Sequence, residues 1–168
     1  MASQLPEPTP SRPYMPGYGL DAARNIPGEA MPWSRVCELL ESARNYWVCT
    51  VRPDGRPHAA PVWAIWLEGR VYFSTGRASR KARNITANPE VVVHVERGDD
   101  AAIVEGRAED IRDGDVMARF AAIYSPKYNW PIDIEFLAAN ALYAVRPRLV
   151  LAFTEDLVQT ATRWRFPA

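Results

Sequence analysis

The links between successive apolar runs in this chain are too short to cross over a sheet, and that restricts its architecture more than any other feature. Tyr46 to Arg52 is rich in aromatic and β-branched residues and predicts a strand. Pro53-Asp54-Gly55 is a turn signal, Arg56 to Leu67 a second strand bent or interrupted at Pro61, Glu68-Gly69 the next turn, and Arg70 to Thr75 a third strand. Parallel strands need a connection of a dozen residues or more, so these three are expected as an antiparallel meander. Val91 to Glu96, Ala101 to Ile111, Ala141 to Arg146 and Leu149 to Thr154 continue the sheet, with Thr162 to Phe166 as an edge piece. Helices are expected after Ser34 (with Val36, Leu39, Leu40 and Ala43 on one face) and from Ser79 to just before Asn88-Pro89. Two more are expected, after Asp113 (with Val116, Phe120 and Ile123 on one side) and around Asp133 to Ala139. Ser125 to Pro131 reads as a loop. The sum is a mainly β fold, a closed or nearly closed antiparallel barrel with peripheral helices, and closure removes the exposed strand edges.

Residues 1–32 carry seven of the 15 prolines and precede this pattern as an arm or tail; residues 33–168 form the domain. Two readings of the arm stand. It is a disordered extension, or it is an ordered arm over a partner subunit, burying Tyr14, Met15, Tyr18 and Ile26. With 48% hydrophobic residues and 168 positions, one domain with a real core is expected. Basic and acidic residues number 20 each, so nothing suggests a nucleic-acid partner. No apolar run approaches the roughly 20 residues that span a bilayer, and the N-terminus has no secretory pattern. Cys37 and Cys49 read as reduced core thiols, which points to a cytoplasmic location. No His, Cys and carboxylate cluster has metal spacing, and no Ser/His/Asp arrangement stands out.

The chemistry is concentrated in Ser74 to Asn84. This segment joins a strand end to a helix start and holds three hydroxyls (Ser74, Thr75, Ser79) and four cations (Arg77, Arg80, Lys81, Arg83). Free N–H groups and the partial positive charge of a helix N-terminus suit a phosphate, and Arg or Lys adds charge-assisted hydrogen bonds. The alternative is a solvated basic helix face with a capping serine. Neither a Walker loop nor a GxGxxG turn is present. His58 lies on the strand before this segment, and His94 reads as structural among valines. Trp63 and Trp66, three apart, fall on opposite strand faces.

The order of these pieces resembles a known family. Ser74-Thr75, three residues, Ser79-Arg80-Lys81, then Asn88-Pro89 and a valine-rich strand are similar to the pyridoxamine 5′-phosphate oxidase-like split-barrel flavoproteins. "RPHAAPVWAIW" resembles that family's isoalloxazine-contacting strand and "IVEGRAE" its later strand. "KYNWP" and "TRWRF" resemble the actinobacterial branch that uses a deazaflavin coenzyme, F420. The likeness covers about residues 33–166. It implies an FMN-binding split barrel of antiparallel Greek-key type, forming a homodimer with cofactor sites at the interface. It also implies hydride transfer between the deazaflavin and a small conjugated or aromatic substrate, with an FMN-dependent oxidoreductase or a non-catalytic flavin- or heme-binding module as alternatives. By the resemblance Thr75, Ser79, Arg80 and Lys81 hold the cofactor phosphate, with Asn84 on the same helix. His58, Ala60, Pro61, Val62 and Trp63 run along the ring system, Ser74 lies near the ring or ribityl chain, and Lys127, Tyr128 and Trp130 come from the second subunit. The family's C-terminal substrate segment, with paired arginine and histidine, is absent; Arg163 and Arg165 echo it loosely.

Overall fold

A computed structural model describes residues 7–18, 20 and 30–167; Ile26 of the expected arm lies outside them. In chain order the elements are β1 (Thr9–Ser11), α1 (Trp33–Ser42), β2 (Tyr46–Val51), β3 (Pro57–Val62), β4 (Ala64–Leu67), β5 (Arg70–Thr75), α2 (Arg80–Ala87), β6 (Glu90–Val95), β7 (Asp100–Ile111), α3 (Gly114–Tyr128), α4 (Ile134–Ala139), β8 (Ala141–Thr154), α5 (Leu157–Thr160) and β9 (Thr162–Arg165). The sheet runs β1-β9-β8-β7-β6-β2-β3, and β8 also carries β5, which pairs with β4. Every ladder is antiparallel. The fold is therefore the mainly antiparallel β architecture expected, split along the seam where β3 and β4 do not pair.

That seam corrects the expected meander. The run from Arg56 to Leu67 breaks at Trp63, not at Pro61, and its halves join different parts of the sheet. Pro61 sits within β3 opposite Trp47. A proline is tolerated there because β3 ends the sheet path and its second edge needs no donor. Thr162–Arg165 is not an edge, since β1 covers it with Thr9 opposite Arg165. Arg12 reinforces this contact. Its buried guanidinium donates to the carbonyls of Val158, Gln159 and Ala161.

Three further differences have local causes. Helix α1 begins at Trp33 with Pro32 in the cap position, and Ser34 caps nothing. Pro32 holds an extended backbone (φ −60°, ψ 139°), and Trp33 packs on Trp66, Trp164 and Phe166. Helix α3 runs through Ser125 and Pro126 to Tyr128 where a loop was expected. Pro126 removes one helical donor, but burial of Tyr128 holds the last turn in place. The two expected strands Ala141 to Arg146 and Leu149 to Thr154 are one strand, β8, with an irregularity opposite Glu105/Gly106.

The β4–β5 hairpin turns on Glu68 (φ 52°) and Gly69 (φ 77°), the two left-handed positions of a type I′ turn, whose twist matches the strands it joins. One apolar cluster fills the barrel, with Tyr46, Phe73 and Trp164 among its largest buried side chains. A second lies under α3 and α4, around Ile65, Tyr72, Phe120 and Leu137. The two tryptophans do not share a strand, since Trp63 falls between β3 and β4; Trp66 belongs to the barrel core, while Trp63 is 36% exposed.

Candidate functional site

Strand β5 ends at Thr75, and Gly76 to Ser79 turn the chain into α2, with the Ser79 N–H donating to the Gly76 carbonyl (2.9 Å). Ser79 caps the helix: its Oγ accepts from the Ala82 N–H (3.2 Å) and from the Thr75 hydroxyl (3.1 Å). The first turn of α2 holds no acidic residue. Among the described residues Arg52, Arg80, Lys81 and Arg83 join no ion pair, whereas Arg77 is paired with Asp110 at 3.2 Å. Lys81 is half-buried, and removal of its ammonium from water pulls its pKa below the usual lysine value. Asp54, in the β2–β3 turn, feels the positive charges of both Arg52 and Arg80, after the larger effect of its own hydrogen bonds from Arg56. The unpaired cations thus gather where α2 starts beside the β2–β3 turn. Unpaired cations at a helix N-terminus are the electrostatics an anion requires.

Asn84 lies beneath this surface. It is fully buried, and its Nδ2 donates to Thr50 Oγ1 at 2.9 Å. Thr50, also buried, stands directly opposite His58 in the β2–β3 ladder, with Oγ1 3.4 Å from His58 Nδ1. Asn84 Oδ1 and Arg52 Nε are buried with no partner. Asn84 therefore braces the strand pair, and the cations of its helix make the exposed surface.

The candidates on β3 divide between two faces. His58, Ala60 and Val62 are opposite Thr50, Val48 and Tyr46 and share their inward face. Pro61, opposite Trp47, points outward, and Trp63 follows the strand end. At about 3.3 Å per residue, His58 to Trp63 spans about 17 Å. One end of that span is flanked by the α2 cations and the other by indole rings. A cleft of about 530 Å3 opens at the indole end, lined by Asn45, Trp47, Pro61, Val62, Trp63 and Glu96. Ser74 and Thr75 are half-buried on β5, opposite Leu142 and Ala141.

Lys127, Tyr128 and Trp130 separate. Tyr128 is buried in its own chain. Its hydroxyl accepts from the Ala64 N–H (3.0 Å) and lies 2.7 and 2.8 Å from the Ala64 and Arg44 carbonyls, and burial pushes its pKa up to about 12. Lys127 Nζ donates to the carbonyls of Glu41 (3.1 Å) and Ala64 (3.2 Å), and burial pushes its pKa down to about 8. Lys127 also lines a separate cleft of about 850 Å3 between α1, the β4–β5 hairpin and residues 7–8, which contains none of the other expected residues. Trp130 is exposed.

Sequence reasoning overlooked Thr50, Trp47, Asn45, Glu96 and Arg52. The Pro53-Asp54-Gly55 turn carried a signal for two of them, since a tight hairpin there sets Thr50 against His58 and Trp47 against Pro61. His94 Nδ1 lies 2.8 Å from the Val95 carbonyl. Cys37 and Cys49 are free thiols, partly buried. Among the described residues no group of His, Cys and carboxylates is placed to hold a metal ion, and no helix is long and apolar enough to cross a membrane.

The sequence matches the pyridoxamine 5′-phosphate oxidase family over residues 34–159. A solved structure described as an F420 reductase is 30% identical, with 67% of this chain and 93% of that chain covered and a TM-score of 0.56. The general stress protein 26 of Bacillus anthracis is 25% identical, with 71% and 92% covered and a TM-score of 0.59. A conserved hypothetical protein of Mycobacterium tuberculosis is 20% identical, with 80% and 91% covered and a TM-score of 0.68, a likeness of fold. No curated protein sequence matches. The antiparallel split barrel, the basic turn after β5 and the family match over most of the domain lead to one conclusion: the chain belongs to the pyridoxamine 5′-phosphate oxidase family of flavin-binding oxidoreductases.

Proposed function

We propose that this chain is a deazaflavin (F420)-dependent oxidoreductase that transfers a hydride between its coenzyme and a small conjugated or aromatic substrate. The observation that carries the reading is the set of unpaired cations at the start of α2, one of them a half-buried lysine, at one end of a strand whose other end is walled by indoles. An elongated ligand with an anionic tail and a flat head fits that polarity along β3. The F420 reductase at 30% identity supports the deazaflavin over FMN.

In this reading Ser79, Arg80 and Lys81 hold the phosphate, with Thr75 fixing the Ser79 hydroxyl. His58 to Trp63 flank the ring system, with Ser74 beside it. Asn84 and Thr50 brace the strand beneath. A bound flavin or deazaflavin supplies the redox chemistry, so a site without an acid–base dyad is adequate for hydride transfer. Arg83, exposed and unpaired, suits the anionic tail of the deazaflavin, while Arg77 shares Asp110 with Arg112 and keeps one guanidinium nitrogen without a partner. The proposed homodimer brings Trp130, exposed at the end of α3, over the partner's cofactor.

The test is calorimetric titration of the purified protein with F420 and with FMN. Tighter binding of F420 is expected. Tighter binding of FMN transfers the reading to an FMN-dependent enzyme, and indifference to both refutes it.

A further inference from the structure

The 530 Å3 cleft at the end of β3 holds none of the α2 cations, and it has a chemistry of its own. Trp63 leaves the strand and lays its indole flat on Tyr128, with centroids 4.7 Å apart and 8° between planes. Tyr128 is fixed in turn. Its hydroxyl is held by the backbone of Ala64 and Arg44, and Tyr124 packs 4.8 Å behind its ring. Trp63 is therefore immobilised from one side, yet 36% of it remains exposed and it lines the cleft. A rigid indole stacked on Tyr128 on one face and still partly exposed to the cleft is a preformed stacking platform. Trp47 and Pro61, directly opposite each other in the β2–β3 ladder, extend the apolar wall.

The polar end of the cleft is equally defined. Glu96 Oε2 accepts from Asn45 Nδ2 at 2.9 Å, and among the described residues Glu96 joins no ion pair. An ionised carboxylate only accepts hydrogen bonds. At the mouth of an indole-walled cleft it attracts an N–H donor or a cation; the Arg44 guanidinium lies against the Trp63–Tyr128 pair, 5.7 and 5.6 Å from the two ring centroids, outside the cleft lining.

We propose that this cleft is the acceptor pocket of the oxidoreductase, and that it takes a flat aromatic substrate whose N–H or cationic group faces Glu96. Trp63 is the stacking surface, Glu96 with Asn45 sets specificity, and Tyr128 is a positioning residue that acts through Trp63. The assignment rests on the coenzyme reading above.

The experiment uses the whole chain and two probes of the same shape and opposite charge, benzamidinium and benzoate. Binding is followed by tryptophan fluorescence and calorimetry, with the coenzyme titrated separately. Benzamidinium is expected to bind at least about tenfold more tightly than benzoate, the scale of a hydrogen bond to a charged group. Glu96→Gln, a change at the surface that leaves the fold intact, removes most of that preference. Trp63→Ala weakens both probes. Tyr128→Phe weakens benzamidinium and benzoate alike and leaves the preference between them within about twofold, a split from Glu96→Gln that general loss of structure does not produce. Equal binding of the two probes, or probe binding indifferent to Glu96→Gln and Trp63→Ala, overturns the proposal. If the coenzyme binds and the probes behave so, this inference fails and the coenzyme reading survives. If benzamidinium binds through Trp63 while no coenzyme binds, the coenzyme reading fails and the acceptor role goes with it.

Discussion

Replacing Gly106 with alanine should destabilise the protein far more than the same change at Gly76, Gly98 or Gly114. Gly106 lies in β7 at the register irregularity of its ladder with β8. A methyl group there would fall 2.2 Å from the Arg146 carbonyl oxygen, 2.9 Å from its carbon and 3.1 Å from Val145 Cγ1. Two of these atoms are backbone, on the strand that carries β5, β7 and β9. No rotamer change relieves the clash, so the ladder must open by about 1 Å, and overpacking of this kind costs about 1–3 kcal/mol. Backbone obstruction sets the expectation at the upper end, near 3 kcal/mol, less about 0.4–1 kcal/mol for the smaller conformational freedom of alanine in the unfolded chain. At about 2–4 °C per kcal/mol for a chain of this size, the midpoint should fall by roughly 4–10 °C in a calorimetric scan. Gly114→Ala is the control, since open space surrounds that position and it opens helix α3; its midpoint should hold or rise. An unchanged midpoint for Gly106→Ala refutes the close approach of β7 and β8.

Lys81→Ala should weaken coenzyme binding by roughly 10- to 150-fold, from about 1.5–3 kcal/mol for a hydrogen bond to a charged group. Arg77→Ala should change it less, because Arg77 pairs with Asp110, which it shares with Arg112; calorimetric titration of both variants checks the contrast. Ser79→Ala removes the α2 cap and should cost about 1 kcal/mol in thermal or denaturant unfolding, with a loss of phosphate affinity. Lys127 gives a pH signature. Its pKa is about 8 in the folded chain against an ordinary 10.5, so between these values the unfolded chain binds more protons at this residue and stability rises with pH. Tyr128, raised to about 12 from an ordinary 10, acts in the opposite direction above pH 10. Cys37 and Cys49, raised by burial, also act in the opposite direction, but equally in parent and variant, so the stability difference between the parent and Lys127→Met should rise from pH 8 to pH 10 in unfolding measurements.

The strands and their pairing were legible where local chemistry decides. The β2–β3 and β4–β5 turns carry glycine at left-handed positions, and the expected caps Ser79 and Asp113 both accept from N–H groups of the helices they open. What was illegible depends on distant contacts. Nothing near Trp63 marks it as the point where one run of β-forming residues divides between two parts of a sheet, because the division is set by pairing of β5 with β8, about 70 residues on. Helix α3 overruns Pro126 because Tyr128 finds its partners on Ala64 and Arg44. In the site, the basic turn was visible as residue types in a row. The bracing of Thr50 by Asn84 and the stacking of Trp63 on Tyr128 were not, since each joins segments that only the folded sheet brings together.

The central claim concerns where an anionic, flat coenzyme sits, and a crystal structure of the chain with F420 bound tests it most directly. The expected density places the phosphate against Ser79, Arg80 and Lys81, with the ring system along His58 to Trp63. Coenzyme in the cleft beside Trp33 and Lys127, or none at all near α2, contradicts the account.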